Sequence, residues 1–305
     1  MPDGILLADK PAGETSAGIV RILKRRHRLR KIGHLGTLDP MATGVLPLCI
    51  DGGTKIAQFL DAADKAYCGE ILLGLATDTL DITGQETARG PVPEFDAARL
   101  AQLAAELHGE RLQTPPMYSA VKIGGQELYK LARAGIEVER KARLIRIDQI
   151  TLRPGSTTDR VRFSVDCSKG TYIRVLAEEI GAALGCPATL ASLRRTRFGP
   201  FGEAESHTME ALEACAVGAL PVLTPTEALR TIPSQKVSAE LAYALAVGRK
   251  GSLRDFAGPT DSPRVALIAP DNALLAIADR DGEGWVLRRM LYPQASELYR
   301  PESRC

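Results

Sequence analysis

The chain predicts an α+β body followed by a small β-rich domain, divided near residue 232, and three observations predict it. Strand-like and helix-like stretches mix along residues 5–184 with no internal repeat or low-complexity tract. Pro221, Pro225 and Pro233 then punctuate the chain. Beyond them come short strands at 265–268, 274–278 and 285–291, the last two joined by the turn Asp279-Arg280-Asp281-Gly282-Glu283-Gly284. A length of 305 residues suits one large domain with a small one.

Residues 5–8 read as a buried strand ended by Lys10-Pro11-Ala12-Gly13. Thr15 or Ser16 caps a helix that turns Ile19, Val20, Ile22 and Leu23 inward and leaves its basic residues outside. A Gly/Pro-punctuated loop fills 33–44, residues 45–50 read as a strand, and 55–63 as a helix. Residues 67–74 alternate as a strand, and 77–84 form a polar loop or strand end. Asp96 opens a helix with Leu100, Leu103 and Leu107 on one face, and a short helix is expected around 127–134. Segments 145–152 and 161–167 read as paired strands, and 172–184 as an amphipathic helix stopped by Gly185.

Composition narrows the class. Hydrophobic residues at 45% and charged residues at 25% are the balance of a globular protein. No apolar run approaches the roughly 18 residues a membrane span requires, and the N-terminus lacks the charge order of a signal peptide. A cytoplasmic protein without membrane contact is expected. The six cysteines and four histidines are scattered, so no zinc site is expected and the thiols read as free. Between Glu14 and Asp39 there is no acid, while Arg21, Lys24, Arg25, Arg26, Arg28, Arg30 and Lys31 are all basic. Residues 1–60 hold nine Lys/Arg against five Asp/Glu, an excess of +4 where the whole chain has +2. Such a cluster either attracts a polyanion by counterion release or is a solvated helix face.

The loop Gly33-His34-Leu35-Gly36-Thr37-Leu38-Asp39-Pro40-Met41-Ala42-Thr43-Gly44 carries the chemical argument. Its glycines free the backbone, while Pro40 restricts Asp39 to extended conformations. A carboxylate is thereby held where a ligand can approach closely. On the loop alone, Asp39 is equally well a structural cap. No P-loop, G-x-S-x-G elbow or H-E-x-x-H helix occurs, so no cofactor is indicated.

This loop resembles the signature loop of the TruB family of pseudouridine synthases. Four further segments fall in that family's order: Gly4 to Pro11; Asp64-Lys65-Ala66-Tyr67 with Leu73-Gly74 and Thr77 to Asp81; Cys167-Ser168-Lys169-Gly170-Thr171-Tyr172-Ile173-Arg174; and Leu193-Arg194-Arg195. The similarity is close over residues 3–200 and general beyond them. It implies the pseudouridine synthase fold, a mixed or antiparallel central sheet with flanking helices. It implies a catalytic domain over 1–231, a thumb-like RNA-binding insertion at 109–143 and a PUA-like RNA-binding domain over 232–305. One departure is Leu35, where a smaller or more polar residue is expected.

The implied activity is isomerisation of a uridine to pseudouridine in the T-loop of tRNA, at position 55, by a monomer without cofactor or metal. The reaction breaks N1–C1′ and joins C1′ to C5 with no redox change. Resemblance makes Asp39 the nucleophile, with attack at C1′, addition at C6 and proton removal at the ribose all open. It pairs Arg174 with that carboxylate, although taken alone Arg174 reads as a surface residue. Tyr67 stacks on the flipped base and helps move its proton; an isolated tyrosine there is otherwise packing. His34 is the candidate wedge, or a loop-stabilising histidine, and Lys10, Asp81, Tyr172 and Leu193 are pocket residues. The basic helix 21–31 with Arg194, Arg195 and Arg197 tracks phosphates.

Two rivals are a synthase subunit that works with guide RNAs and a non-catalytic tRNA-binding or folding protein. The insertion 109–143 counts against the first, and the joint presence of Asp39, Tyr67 and Arg174 against the second. Neutralising Arg25 and Arg26 should flatten the salt dependence of tRNA binding by about one log–log unit per lost phosphate contact. An unchanged slope in a salt titration would take that helix off the RNA.

Overall fold

A computed structural model describes residues 3–61, 63–249, 251, 253–254, 256–282, 284–292 and 294–300. Glu283 of the expected turn and Cys305 lie outside the described residues. The first strand, β1 (Gly4–Lys10), buries every residue but Asp9, with Leu6 and Ala8 on one face and Ile5 and Leu7 on the other. Burial on both faces explains its unbroken apolar run. Helix α1 (Ser16–His27) is capped by Thr15, whose side chain accepts from the Gly18 amide, and ends at Arg28 in the left-handed conformation. Ile19 and Leu23 face the core, while all seven basic residues from Arg21 to Lys31 are exposed.

β2 (Ile32–His34) and β3 (Thr43–Ile50) flank the Asp39 loop, so Gly33 and His34 are strand residues and the loop proper is 35–42. The expected helix at 55–63 is shorter: Asp51–Lys55 is a 3-10 turn and Ala57–Leu60 one α-turn, with Ala62 outside the described residues. β4 (Lys65–Leu73), α2 (Ala97–Leu107), capped by Asp96, and the edge strand β5 (Gly109–Gln113) follow. The stretch 109–143 thus begins inside the sheet, and the part that leaves it is 114–142, which holds α3 (Leu128–Arg133). Next come β6 (Arg143–Pro154), β7 (Arg160–Cys167), α4 (Ile173–Leu184) with Gly185 as left-handed cap, β8 (Ala188–Phe198) and β9 (His207–Thr208).

These strands form a ten-stranded sheet in the order β9-β1-β3-β8-β4-β7-β6-β5, with β2 on β3 and Phe201–Gly202 on β8. Pairing is antiparallel except for β1 with β9 and β3 with β8. The parallel β3–β8 seam sets Arg194 and Arg195 opposite Thr43 and Gly44, and brings the C-terminal end of the Asp39 loop beside β8. One face packs against α1, α2 and α4 through Leu23, Leu103 and Ile180.

The C-terminal strands β10 (Ser234–Lys236), β11 (Arg264–Ile268), β12 (Leu274–Asp281) and β13 (Gly284–Met290) form a separate four-stranded sheet. One of its faces lends Ala266, Ile268 and Ile277 to a core shared with Ile5, Val45 and Phe198. The other packs Val265, Leu267 and Trp285 on the helix Ala239–Ala246. Among the described residues no helix is long and apolar enough to cross a membrane.

Gly44 lies at φ +103, and a Cβ there would sit 2.2 Å from the Arg195 carbonyl oxygen and 2.8 Å from its nitrogen. Gly44→Ala should therefore lose at least about 2 kcal/mol, read as a lower urea midpoint with unchanged slope. Wild-type stability would mean that the β3–β8 seam does not need this close approach.

Candidate active site

The Asp39 loop is tied down from three sides. Lys10, fully buried, points its ammonium at the carbonyls of Pro11 (2.8 Å), Glu14 (2.6 Å) and Pro40 (3.1 Å). Ser16 Oγ accepts from the Leu38 amide at 2.9 Å, and Gly13 N donates to Pro40 O at 2.8 Å. Leu35, the departure from the family pattern, is buried beneath the loop against the core that contains Phe198. Burial holds the Lys10 ammonium down to about 8 despite Glu14 and Asp39 nearby.

Asp39 stands on this loop with 33% of its side chain open. Arg174, at the start of α4, meets it with Nε 2.9 Å from Oδ2 and Nη2 3.3 Å from Oδ1, a bidentate pair. Arg174 is nearly buried and also donates from Nη1 to Thr79 O (2.8 Å) and from Nη2 to Tyr118 O (2.7 Å). One guanidinium thereby joins the Asp39 loop, the 77–84 loop and the 114–142 insertion. Asp81 lies 3.9 Å from Arg174 Nε and is held by Thr79 and Thr83, so it supports the arginine from behind. Burial raises the Asp39 carboxyl above its ordinary value; Arg174 opposes that rise without cancelling it.

Asp39, Tyr67, Tyr172, Arg174 and Leu193 line one cavity of about 300 Å³, at the small-ligand end of the scale. Lys10, His34 and Asp81 are not among its lining residues. His34 is half-buried, and burial with the Arg195 charge lowers its imidazole. Tyr172 is set by Gln113, which accepts from its amide at 2.8 Å and donates to its carbonyl at 3.2 Å. Ser119 also lines the cavity and comes from the insertion, and nothing local in the sequence marks that serine.

The expectation that Arg194, Arg195 and Arg197 track phosphates is corrected for Arg195, while Arg194 and Arg197 are partly exposed and ion-paired. Arg194 is held by Asp9 (3.0 and 2.9 Å) and Glu203 (2.9 Å), and Arg197 by Asp166. Arg195 is fully buried and lines the cavity from below. No grouping of three His, Cys, Asp or Glu side chains capable of holding a metal occurs among the described residues.

Two family models match consecutive parts of the chain. Residues 24–173 match the TruB family pseudouridylate synthase N-terminal domain, and residues 174–229 the tRNA pseudouridylate synthase B C-terminal domain. The tRNA pseudouridine synthase B of Aromatoleum aromaticum is 44% identical over 284 residues, 92% of this chain and 90% of that one. Its counterpart from Nitrosococcus oceani is 42% identical over 298 residues, 96% of each. Among solved structures, a chain of a Cbf5-Nop10-Gar1 complex superposes with a TM-score of 0.72 at 27% identity, covering 98% of this chain and 87% of that one.

Because burial outweighs Arg174, the Asp39 carboxyl should titrate above the ordinary value of about 3.9. Its contribution to stability is then fully present below that value and lost as pH rises through the raised one. Carboxyl-carbon NMR of the free protein, assigned with Asp39→Asn, reads the midpoint. A midpoint at or below about 3.9 would mean that the ion pair dominates instead.

Proposed function

The chain belongs to the TruB family of pseudouridylate synthases, and on that premise we propose that it isomerises one tRNA uridine to pseudouridine with Asp39 as nucleophile. The observation that carries this reading is the ion-paired Asp39 at a cavity sized for one nucleoside, with Tyr67 in the wall. A uridine stacked in a folded RNA loop must be flipped out to reach such a pocket, at a cost of a few kcal/mol. Stacking on Tyr67, at about 1–3 kcal/mol for an aromatic contact, offsets a comparable amount. Arg174 fixes the direction of the carboxylate, and the desolvation that raises its pKa also strengthens it as a nucleophile once ionised.

Residues 1–231 then form the catalytic part. The insertion and the exposed basic face of α1 track RNA, and residues 232–305 act as a PUA-like RNA-binding unit. Their separate sheet and second core support that division. Lys10 and Asp81 serve the site as supports of the Asp39 loop and of Arg174, His34 serves as the wedge, and Tyr172 and Leu193 contact the nucleotide. The enzyme works as a monomer in the cytoplasm without a small-molecule cofactor, and its target is uridine 55 of the T-loop. Relatives named tRNA pseudouridine synthase B, matched over nine-tenths of both chains, favour free tRNA over a guide-RNA particle as the setting.

Asp39→Asn should abolish pseudouridine formation while tRNA affinity stays within about tenfold, since the change removes the reacting group and little contact area. Mapping of pseudouridine in treated tRNA, with a binding titration beside it, checks both halves. Turnover near wild type would remove Asp39 from the chemistry.

A further inference from the structure

Three of the four arginines at or beside the site are neutralised by carboxylates: Arg174 by Asp39, Arg194 by Asp9 and Glu203, and Arg197 by Asp166. Arg195 is not, although it is the most deeply buried of them at 0% exposure. Its Nε donates to Val45 O at 2.7 Å, and its guanidinium lies 5.2 Å over the Phe198 ring. Nη1 and Nη2 are buried and reach no acceptor in hydrogen-bonding geometry. Gly36 makes room for them: a Cβ there would sit 3.1 Å from Nη1. A desolvated cation with two unanswered donors is costly, and sites that keep such a group are commonly functional.

One polar group beside that guanidinium can answer its charge. Arg195 on β8 and Tyr67 on β4 are direct cross-strand partners, so their side chains leave the sheet on the same side. The Tyr67 hydroxyl is attracted to the guanidinium, while Cys167 and Asp39 on neighbouring elements repel a negative charge there. The other groups around Arg195 are the cationic or titrating Lys10, His34 and Lys65, which cannot neutralise it. Lys65 is itself engaged elsewhere, its ammonium donating to Ala63 O at 2.7 Å and lying over the same Phe198 ring.

We propose that Arg195 is a positioning residue that holds Tyr67 ready to act as the proton acceptor of the isomerisation. The inference rests on the isomerase reading above. In that reaction the N1–C1′ bond breaks, the C5–C1′ bond forms, and the proton on C5 must leave. The phenolate of Tyr67 takes that proton, the C–H electron pair returns to the ring, N1 gains a proton from solvent, and Tyr67 later returns its own to solvent. Burial pushes the phenol up, and the cation behind it opposes that rise without cancelling it, so that loss of the cation would push it higher still. In this role Arg195 acts through Tyr67.

The test is a single-turnover double-mutant cycle on the full chain with a tRNA transcript. Arg195→Met should slow isomerisation at least about 100-fold, the scale of losing proton-transfer catalysis, with KM for tRNA within a few-fold. It should keep or raise the Tm, because it removes an uncompensated buried charge. The rising limb of the rate–pH profile, and the phenolate difference absorbance that Tyr67→Phe abolishes, should both move to higher pH. Arg195→Lys should restore part of the rate, and in the Tyr67→Phe background Arg195→Met should cost less than about 3-fold. An unaltered pH profile, an undiminished cost in the Tyr67→Phe background, or a Tm that falls in step with activity would overturn the proposal. If Arg195→Met does not fold, Arg195→Lys decides by whether its pH limb moves. Absence of pseudouridine with the wild-type chain would instead sink the isomerase reading itself.

Discussion

The guanidinium of Arg174 divides its donors among three segments that lie far apart in the chain, and no backbone ladder joins them. Asp39 receives two of its contacts, Thr79 O one and Tyr118 O one. The arginine can do this because α4 starts immediately after the Lys169-Gly170-Thr171 turn, where Gln113 pins the Tyr172 backbone from the edge strand β5. Its nearly complete burial makes the arrangement all-or-none, because a desolvated guanidinium that loses one acceptor has no water to replace it. The orientation of the carboxylate, the position of the 77–84 loop and the seating of the insertion are therefore coupled through one side chain.

The electrostatics of the cavity follow from the same burial. Burial raises the Asp39 carboxyl, and Arg174 with Lys10 opposes that rise without cancelling it. Beneath it, Lys10 and Lys65 are each pushed down to about 8 by burial, with Arg195 adding to the effect. Positive charge thus lies under the cavity floor while the acids sit at its rim. A reaction whose base departs with negative charge is better served by such a floor than by water, because fixed charges need not reorganise.

Much of this was legible in the sequence. The loop glycines, Pro40 and the Thr15 cap act locally, so their consequences could be read from their neighbours alone. β8 was not, because Leu193, Arg195 and Phe198 share its buried face, register breaks follow Leu190 and Arg195, and three arginines hide the alternation. Arg195, expected on phosphates, is buried instead, because only Val45, Gly36 and Tyr67, all distant in sequence, make the place it occupies. Gln113 and Ser119 reach the site through strand pairing and insertion docking, and no spacing rule encodes either. Asp81, implied as a pocket residue, instead bonds Thr79 and Thr83 one layer behind the cavity lining.

The two halves of the site are held by different means. The Asp39 half is fixed by covalently near partners: Lys10 gathers three carbonyls and Ser16 brackets Leu38, contacts formed within the first forty residues. The opposing half arrives on the insertion, whose inner turn touches the site through the Tyr118 carbonyl and the Ser119 wall. Asp39 is held on the fixed half by contacts that do not involve the insertion, and the insertion meets its donor, Arg174 Nη2, only through the Tyr118 carbonyl. The two halves are therefore joined across the cavity by the single guanidinium of Arg174, which reaches Asp39 on one side and the Tyr118 carbonyl on the other.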